Sequence, residues 1–242
     1  YVRYAKILNM GPDYYARDRR SYDNRLVYFF KGTGELIING TSHTGVRGSL
    51  FLWSPDDVYT LRATGDGFKV IIINFDYTYG SKQSNLAIPP ADDFRFDETQ
   101  RTEDVCFSDI KEFNKPLALQ DMRSMESILL SIDMEFINPR INYNLMLSAM
   151  MTVALLRISR ASRGGYGEEM PPLVADVTAY IHENYAGDLS NSTIGSVFNY
   201  HPNYVNRAML ASTGQSLHQY VIGVRAMKAL ELIQTTDLTI TD

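Results

Sequence analysis

The stretch at positions 189–214, LSNSTIGSVFNYHPNYVNRAMLASTG, decides how the chain is read. Its start and stop signals predict two short helices about a tight turn. Ser190 is placed to N-cap a first helix that buries Ile194, Val197 and Phe198, because its hydroxyl can accept from an otherwise unpaired N–H of the first turn. Asn199 falls where the chain needs a left-handed residue, and Asn tolerates that conformation better than any residue except Gly. His201-Pro202 then opens a second helix, since a proline in the first turn loses no hydrogen bond. Tyr204, Val205, Ala208 and Met209 form its apolar stripe, and Gly214 ends it.

Asn203, Asn206 and Arg207 lie largely outside that stripe. Asn pairs bidentately with adenine, and Arg with guanine or a phosphate. Helical pairs with a short turn also occur as hairpins that only pack, so the pattern by itself leaves both readings open.

From Pro172 to Asp242 the sequence resembles the DNA-binding half of the AraC/XylS family of transcription regulators. The run LS…I…V…Y.P.YV.R…..TG.S…Y matches that family's first helix-turn-helix position by position. A linker helix follows at Ser216–Gln234, carrying a family-like R-x-x-K-A-x-x-L in Arg225, Lys228, Ala229 and Leu232. The run TTDLTITD at 235–242 looks like the lead-in to a second helix-turn-helix, which is therefore expected to be missing from these 242 residues. The resemblance implies a major-groove role for Asn203, Asn206 and Arg207, with Ser190 and Thr213 as cap and turn residues.

Composition bounds the alternatives. A hydrophobic fraction of 45% suits a chain with a real core, and 23 basic against 28 acidic residues give a net charge of −5, so no global signal points to nucleic acid. From Pro171 onward three basic residues (Arg207, Arg225, Lys228) face six acidic ones, although phosphate neutralisation supplies much of a DNA-binding protein's affinity. Leu210 and Ala211 stand where many relatives in that family carry basic residues. Cys106 is alone, which excludes an intrachain disulfide and fits a reducing cytoplasm. The most apolar run, Leu145–Leu156, is interrupted by Ser148 and Thr152 and reads as too short to span a bilayer. No signal peptide is expected.

The amino-terminal half alternates with period two. Residues 1–20 read as a polar lead-in with one strand near Ala5–Leu8. Arg25–Phe30 is a strand closed by a Gly-Thr-Gly turn at 32–34, and Glu35–Ile38 is a second. Asn39-Gly40 is a type I′ hairpin signal. Gly48–Trp53, Val58–Ala63 and Phe68–Phe75 follow, separated by Ser54-Pro55-Asp56-Asp57 and by a Gly65-Asp66-Gly67 turn. Short strands at this spacing predict a small antiparallel barrel or jelly roll. The run Gly32, Gly34, Leu36, Ile38, Gly40, followed by Gly48 and Ser54-Pro55, is similar to the cupin-like sensor domain that AraC-type regulators carry at the N-terminus.

Metal-dependent cupins hold their ion with an H-x-H pair, a Glu and a later His. Here His43 stands alone before His182, so neither a metal nor a cofactor is implied. There is no nucleophile motif and no phosphate loop. A metal-free barrel can bind a small molecule, a sugar among the candidates, through aromatic faces and cationic clamps. Arg25, Tyr28, Lys31, Trp53 and Tyr59 are the candidate ligand-binding residues, each with a core or surface role as the plainer alternative.

Residues 78–116 read as irregular. Apolar positions at three and four predict a helix from Leu117 to about Ile137, broken by Asn138-Pro139, and a second at Ile141–Ser159 that is apolar on most of its circumference. In the resembled family such a pair is a usual dimerisation element. Ser162–Pro172 reads as a linker, and Leu173–Tyr185 as the first helix of the last domain, with Asp176, Tyr180 and His182 as its polar accompaniment.

The expectation is an α+β chain. Residues 1–116 form a cupin-like ligand-sensing β-barrel, 117–161 a helical dimerisation hairpin, 162–172 a linker, and 173–242 a partial all-α DNA-binding domain. The function expected is a cytoplasmic, homodimeric, sequence-specific DNA-binding transcription regulator that responds to a small-molecule effector, without membrane association and not an enzyme. The rivals are a metal-free cupin isomerase or epimerase, and a sensor or dimerisation protein that does not bind DNA.

Overall fold

The computed structural model describes residues 1–78, 89–103, 105–163 and 171–235. The polar run Ser81–Ser84, most of the 162–172 linker and nearly all of the 235–242 lead-in lie outside them. The chain is mixed α and β, with one eight-stranded antiparallel sheet and six α-helices among the described residues. It divides into two compact units, Tyr1–Arg163 and Gly164–Asp242.

Two long strands organise the first unit. β3 spans Asn24–Ile38 and β6 spans Tyr59–Phe75, and they pair along almost their whole lengths. β1 (Val2–Met10) pairs with the second half of β6, and β2 (Tyr15–Arg20) with its first half. β5 (Leu50–Trp53) joins the first half of β3, and β4 (Thr41–Gly45) the second. The short β7 (Ala91–Asp92) and β8 (Leu117–Leu119) end the hydrogen-bonded path at β2 and β5. That path runs β7-β2-β6-β3-β5-β8 and does not close among the described residues.

Three expectations need correction here. The polar lead-in at 1–20 is two strands. The glycine pairs at 32–34 and 65–67 do not end strands, because β3 and β6 run through them with register shifts at Phe29/Lys31 and Gly32/Gly34. Gly32 (φ +82°) and Gly67 (φ +98°) take the left-handed backbone at the kink, and a Cβ on Gly32 would overlap the Gly67 carbonyl oxygen. Residues 117–119 are strand rather than the start of a helix. The Asn39-Gly40 hairpin turn has positive φ at both residues, as a type I′ turn requires.

Strand alternation gives the sheet two apolar faces. Leu26, Tyr28, Leu50, Leu52, Ile71 and Ile73 face the helices α1 (Glu126–Ile137) and α2 (Tyr143–Ser162), where Leu129, Ile132, Leu147, Met151, Ala154 and Ile158 complete one core. Val27, Phe29, Phe51, Trp53, Tyr59, Leu61, Val70 and Ile72 form the other core. The bend folds that second face over on itself. The Phe29 ring lies 5.1 Å from Phe68 and 5.9 Å from Phe51, and it leaves no room for a Cβ on Gly45 of β4.

At 20 residues, α2 is long and apolar enough to cross a membrane by length and composition, unlike the dozen-residue run expected. Its Leu147, Met151, Ala154 and Ile158 are nevertheless buried in the first core. Elsewhere the two helices and the turn between them expose large apolar side chains: Met134, Ile137, Ile141 (94% exposed), Leu145, Met146 and Leu156.

The second unit is four helices: α3 (Pro172–Glu183), α4 (Asn191–Phe198), α5 (Pro202–Thr213) and α6 (Leu217–Thr235). Its core is one cluster built on Val174, Val177, Ile181, Ile194, Val205, Met209, Leu217 and Val221. Each α3 and α4 start and stop sits within a residue or two of its sequence signal, as does each one in α5 and α6.

Candidate nucleic-acid interface and ligand cleft

Capping fixes the path of α4 and α5. Ser190 Oγ accepts from the Thr193 N–H at 3.2 Å, and Asp188 accepts from both the Ser190 N–H and the Thr193 hydroxyl. These donors hold the Asp188 carboxyl below the usual carboxylate range, the Thr193 hydroxyl contributing most. Asn199 ends α4 in the left-handed conformation (φ 57°, ψ 41°). His201 Nδ1 accepts from the Asn203 N–H at the start of α5, and Pro202 occupies the first turn. Gly195 sits under the turn, where a Cβ would meet the Tyr200 carbonyl and the Pro202 ring. Three residues therefore separate two helices whose ends are both satisfied.

The three candidate base-reading residues part company. Asn203 and Arg207 are exposed on the outer side of α5. Asn206 is half-buried, and its Oδ1 accepts from the Leu217 N–H at 2.9 Å, at the first turn of α6. Asn206 is thus a helix-start cap for the next helix, which engages the oxygen that a bidentate pairing with adenine would use. Ser216 and Gln219 complete that start reciprocally: the Gln219 N–H donates to Ser216 Oγ, and the Ser216 N–H donates to Gln219 Oε1.

Two more expectations change in this unit. Tyr204 is not in the apolar stripe; it is 49% exposed and stacks on Tyr200 with ring centroids 5.4 Å apart. Val197 is 48% exposed rather than buried. His182, part of the polar accompaniment of α3, pairs with the Tyr220 hydroxyl at 3.2 Å and ties α3 to α6.

The cations of the second unit are mostly engaged. Arg225 donates to the carbonyls of Tyr185 and Gly187, and Lys228 pairs with Glu231 at 2.7 Å. Arg207 is the one Lys or Arg among the described residues of this unit that is left to solvent. Asn203 and Arg207, one turn apart, form the polar part of the α5 face.

In the first unit, three of the five candidate ligand residues come together. Arg25 and Trp53 are cross-strand partners, Trp53 and Tyr59 lie 4.9 Å apart by ring centroids, and the Arg25 guanidinium sits 5.4 Å from the Tyr59 ring. The cluster is closed. Arg25 donates to Asn74 Oδ1 at 3.2 Å and to the Tyr59 hydroxyl at 2.5 Å, and Trp53 is 1% exposed. Tyr28 belongs to the opposite face of the same strand, so it is not part of this cluster; its hydroxyl donates to Glu126 Oε1 at 2.8 Å, at the start of α1. Burial and that bond to a carboxylate hold the Tyr28 phenol well above its usual range. Glu126 is held low by Arg47 first and by Tyr28 as well. Lys31 lies at the kink in β3, between its two register shifts, and is exposed.

The sequence offered no signal for the buried polar group beneath Arg25. Arg3 and Asp76 form an ion pair at 2.5 Å, and the Asn74 amide donates to Asp23 Oδ1 at 2.8 Å. Burial raises the Asp23 carboxyl to about 7; Arg25 opposes the rise and Asp76 adds to it. The Asp23 Oδ2 and Trp53 Nε1 atoms have no hydrogen-bond partner among the described residues. Tyr59 also borders a surface cleft of about 290 Å³, lined with Tyr15, Arg17, Asp18, Ile37, Val58 and Thr60. His43 on β4 faces the Phe51 ring at 6.0 Å.

No family model and no curated protein matches the chain. Among solved structures it is similar to an apo variant of ToxT from Vibrio cholerae, at 10% identity and a TM-score of 0.41, covering 98% of this chain and 84% of that one. Unsaturated fatty acid-bound wild-type ToxT gives 10% identity, 0.41, and 98% and 83% coverage. A variant of oxalate decarboxylase from Bacillus subtilis is similar over 35% of this chain and 23% of its own, at 12% identity and a TM-score of 0.28. Likenesses of this size do not bear on the site, which stands on its own geometry.

Proposed function

We propose that the chain is a sequence-selective duplex-DNA-binding regulator of AraC type, working in the cytoplasm as a homodimer under the control of a small molecule. The observation that carries the reading is the pair α4 and α5: a left-handed Asn199 between two capped helices, with Asn203 and Arg207 outward on the second. That arrangement suits a second helix laid in a major groove. The apolar side chains exposed on α1 and α2 suit a second copy of this chain, since a surface of that kind is costly to leave in water. A dimer would also present two copies of α5 to two half-sites. The cleft beside Tyr59 suits a small effector, because Tyr59 connects it through Arg25 to Asn74 and Asp23 in the sheet. We treat the chain as a regulator, not an enzyme, and give it neither metal nor cofactor.

One observation favours the second reading, a sensor that does not bind DNA. Asn206 is held by α6, and Arg225 and Lys228 are held by their own unit, which leaves Arg207 alone to meet phosphates. Fluorescence anisotropy on duplexes selected from a random pool, repeated across salt concentrations, separates the two. The regulator selects a sequence, with a shallow salt dependence set by about one released counterion per engaged cation. Equal, weak binding to every duplex leaves the sensor.

A further inference from the structure

The outward side of α5 is not the amide-and-guanidinium surface that the sequence suggested. Asn203, Tyr204, Arg207 and Leu210 follow one another at helical spacing along it. Tyr204 is 49% and Leu210 51% exposed, and Tyr200 extends the apolar part by stacking on Tyr204. Val205 and Met209 hold the opposite side fully in the core, so the helix cannot roll to hide these groups. Asn206 is turned to Leu217. What is left to meet base edges is one Asn, one Arg, and a larger apolar surface between and beyond them.

In a major groove one apolar feature distinguishes the bases: the C5 methyl of thymine. An Asn or Arg selects adenine or guanine by hydrogen bonds, whereas an aromatic edge or a leucine gains only where a methyl is present to be covered. We infer that α5 selects its site chiefly through thymine methyl groups, with Tyr204 and Leu210 as the specificity-determining residues and Tyr200 bracing Tyr204. This rests on the DNA-binding reading above and states what that reading recognises. Asn203 and Arg207 then anchor the helix to a purine or the backbone. A face with a single free cation and two large apolar groups has more to gain from methyls than from phosphates.

The test isolates the methyl. Duplexes bound by the full 242-residue chain are selected from a random pool, and each thymine of the selected site is replaced in turn by deoxyuridine, which removes only the methyl. The expected result is a roughly fourfold loss of affinity at each contacted thymine. Tyr204→Ser or Leu210→Ser should abolish the difference between thymine and deoxyuridine at its own position; both residues are exposed, and circular dichroism checks that the variants fold. Arg207→Gln should weaken binding to both forms alike and keep their ratio. A selected site that is indifferent to every deoxyuridine replacement overturns the inference and leaves DNA binding standing. If no duplex is enriched, the DNA-binding reading fails and this inference with it.

Discussion

The two units are built on opposite solutions to burial. The sheet unit buries Arg3, Asp23, Asn24, Arg25, Asn74, Asp76 and Asp133, whereas Thr178 is the one buried polar residue among those described in the helical unit. Charged groups inside a fold are tolerated only when paired, and each pair makes the fold conditional on its partner and on pH. The helical unit keeps its polar groups at helix ends, where they satisfy backbone N–H groups near water. The difference teaches where each unit is vulnerable: the first to backbone crowding and ionisation, the second to loss of apolar volume and caps.

The largest effect expected from that contrast is at the β3–β6 kink. Gly32→Val places a branched side chain at positive φ against the Gly67 carbonyl, a combination of strain and overlap that should cost roughly 4 kcal/mol or more. Urea unfolding should show the sheet transition lost or moved to low denaturant, with the helical transition unmoved. A single shared transition that shifts as a whole would break the comparison.

The next effect is ionic. Asp23 has a folded-state carboxyl at about 7 against an unstressed value of 3.8. Between those values the folded chain holds a proton that the unfolded chain has released. Stability of the sheet unit should therefore fall as pH rises from about 4 to about 7, with a slope approaching 1.4 kcal/mol per pH unit, and level off above. Asp23→Asn should flatten that profile and leave the helical unit alone. Thermal unfolding at half-unit pH steps reads the slope; an unchanged profile in the variant would show that Asp23 is not its source.

In the helical unit, Met209→Ala removes a fully buried side chain and should cost about 2–4 kcal/mol, visible as a lower urea midpoint for that unit only. Asn206→Ala should cost about 1 kcal/mol through the lost cap on α6, whereas Asn203→Ala, at an exposed position, should leave the midpoint within about 0.5 kcal/mol. If both asparagines behave alike in stability, the distinction drawn between them is wrong.

The same contrast explains what the sequence made legible. Ser190, Asn199, Pro202 and Gly214 act on neighbours within a few residues, so their meaning is local, and helix ends in the second unit follow from them. Gly32 and Gly67 cannot be interpreted that way. A glycine pair serves a turn or a kink equally well, and here the choice was made by pairing between strands some 35 positions apart. Residues 1–20 looked polar because β1 and β2 alternate irregularly and owe their form to β6. Leu117–Leu119 has apolar spacing that a helix would share, and only β5 makes it a strand. The candidate site divided along the same line. Exposure of Asn203 and Arg207 follows from helical periodicity, but Asn206 is taken up by a backbone N–H eleven residues ahead. Arg25, Trp53 and Tyr59 met because they share a face, and Tyr28 missed them by one step of the strand's alternation.

The length of β6 carries a consequence for how the chain is made. β1, β2 and β3 all take their main partner from it, and the Val2 register is completed only at Phe75. As the chain grows, β3 can pair with β4 and β5 as they follow it, but β1 and β2 have no strand partner among the described residues until β6 is made. The helical unit, whose core closes between Leu173 and Val224, has a shorter span to complete. The most aggregation-prone interval in making the sheet unit should fall between the synthesis of β1 and that of β6.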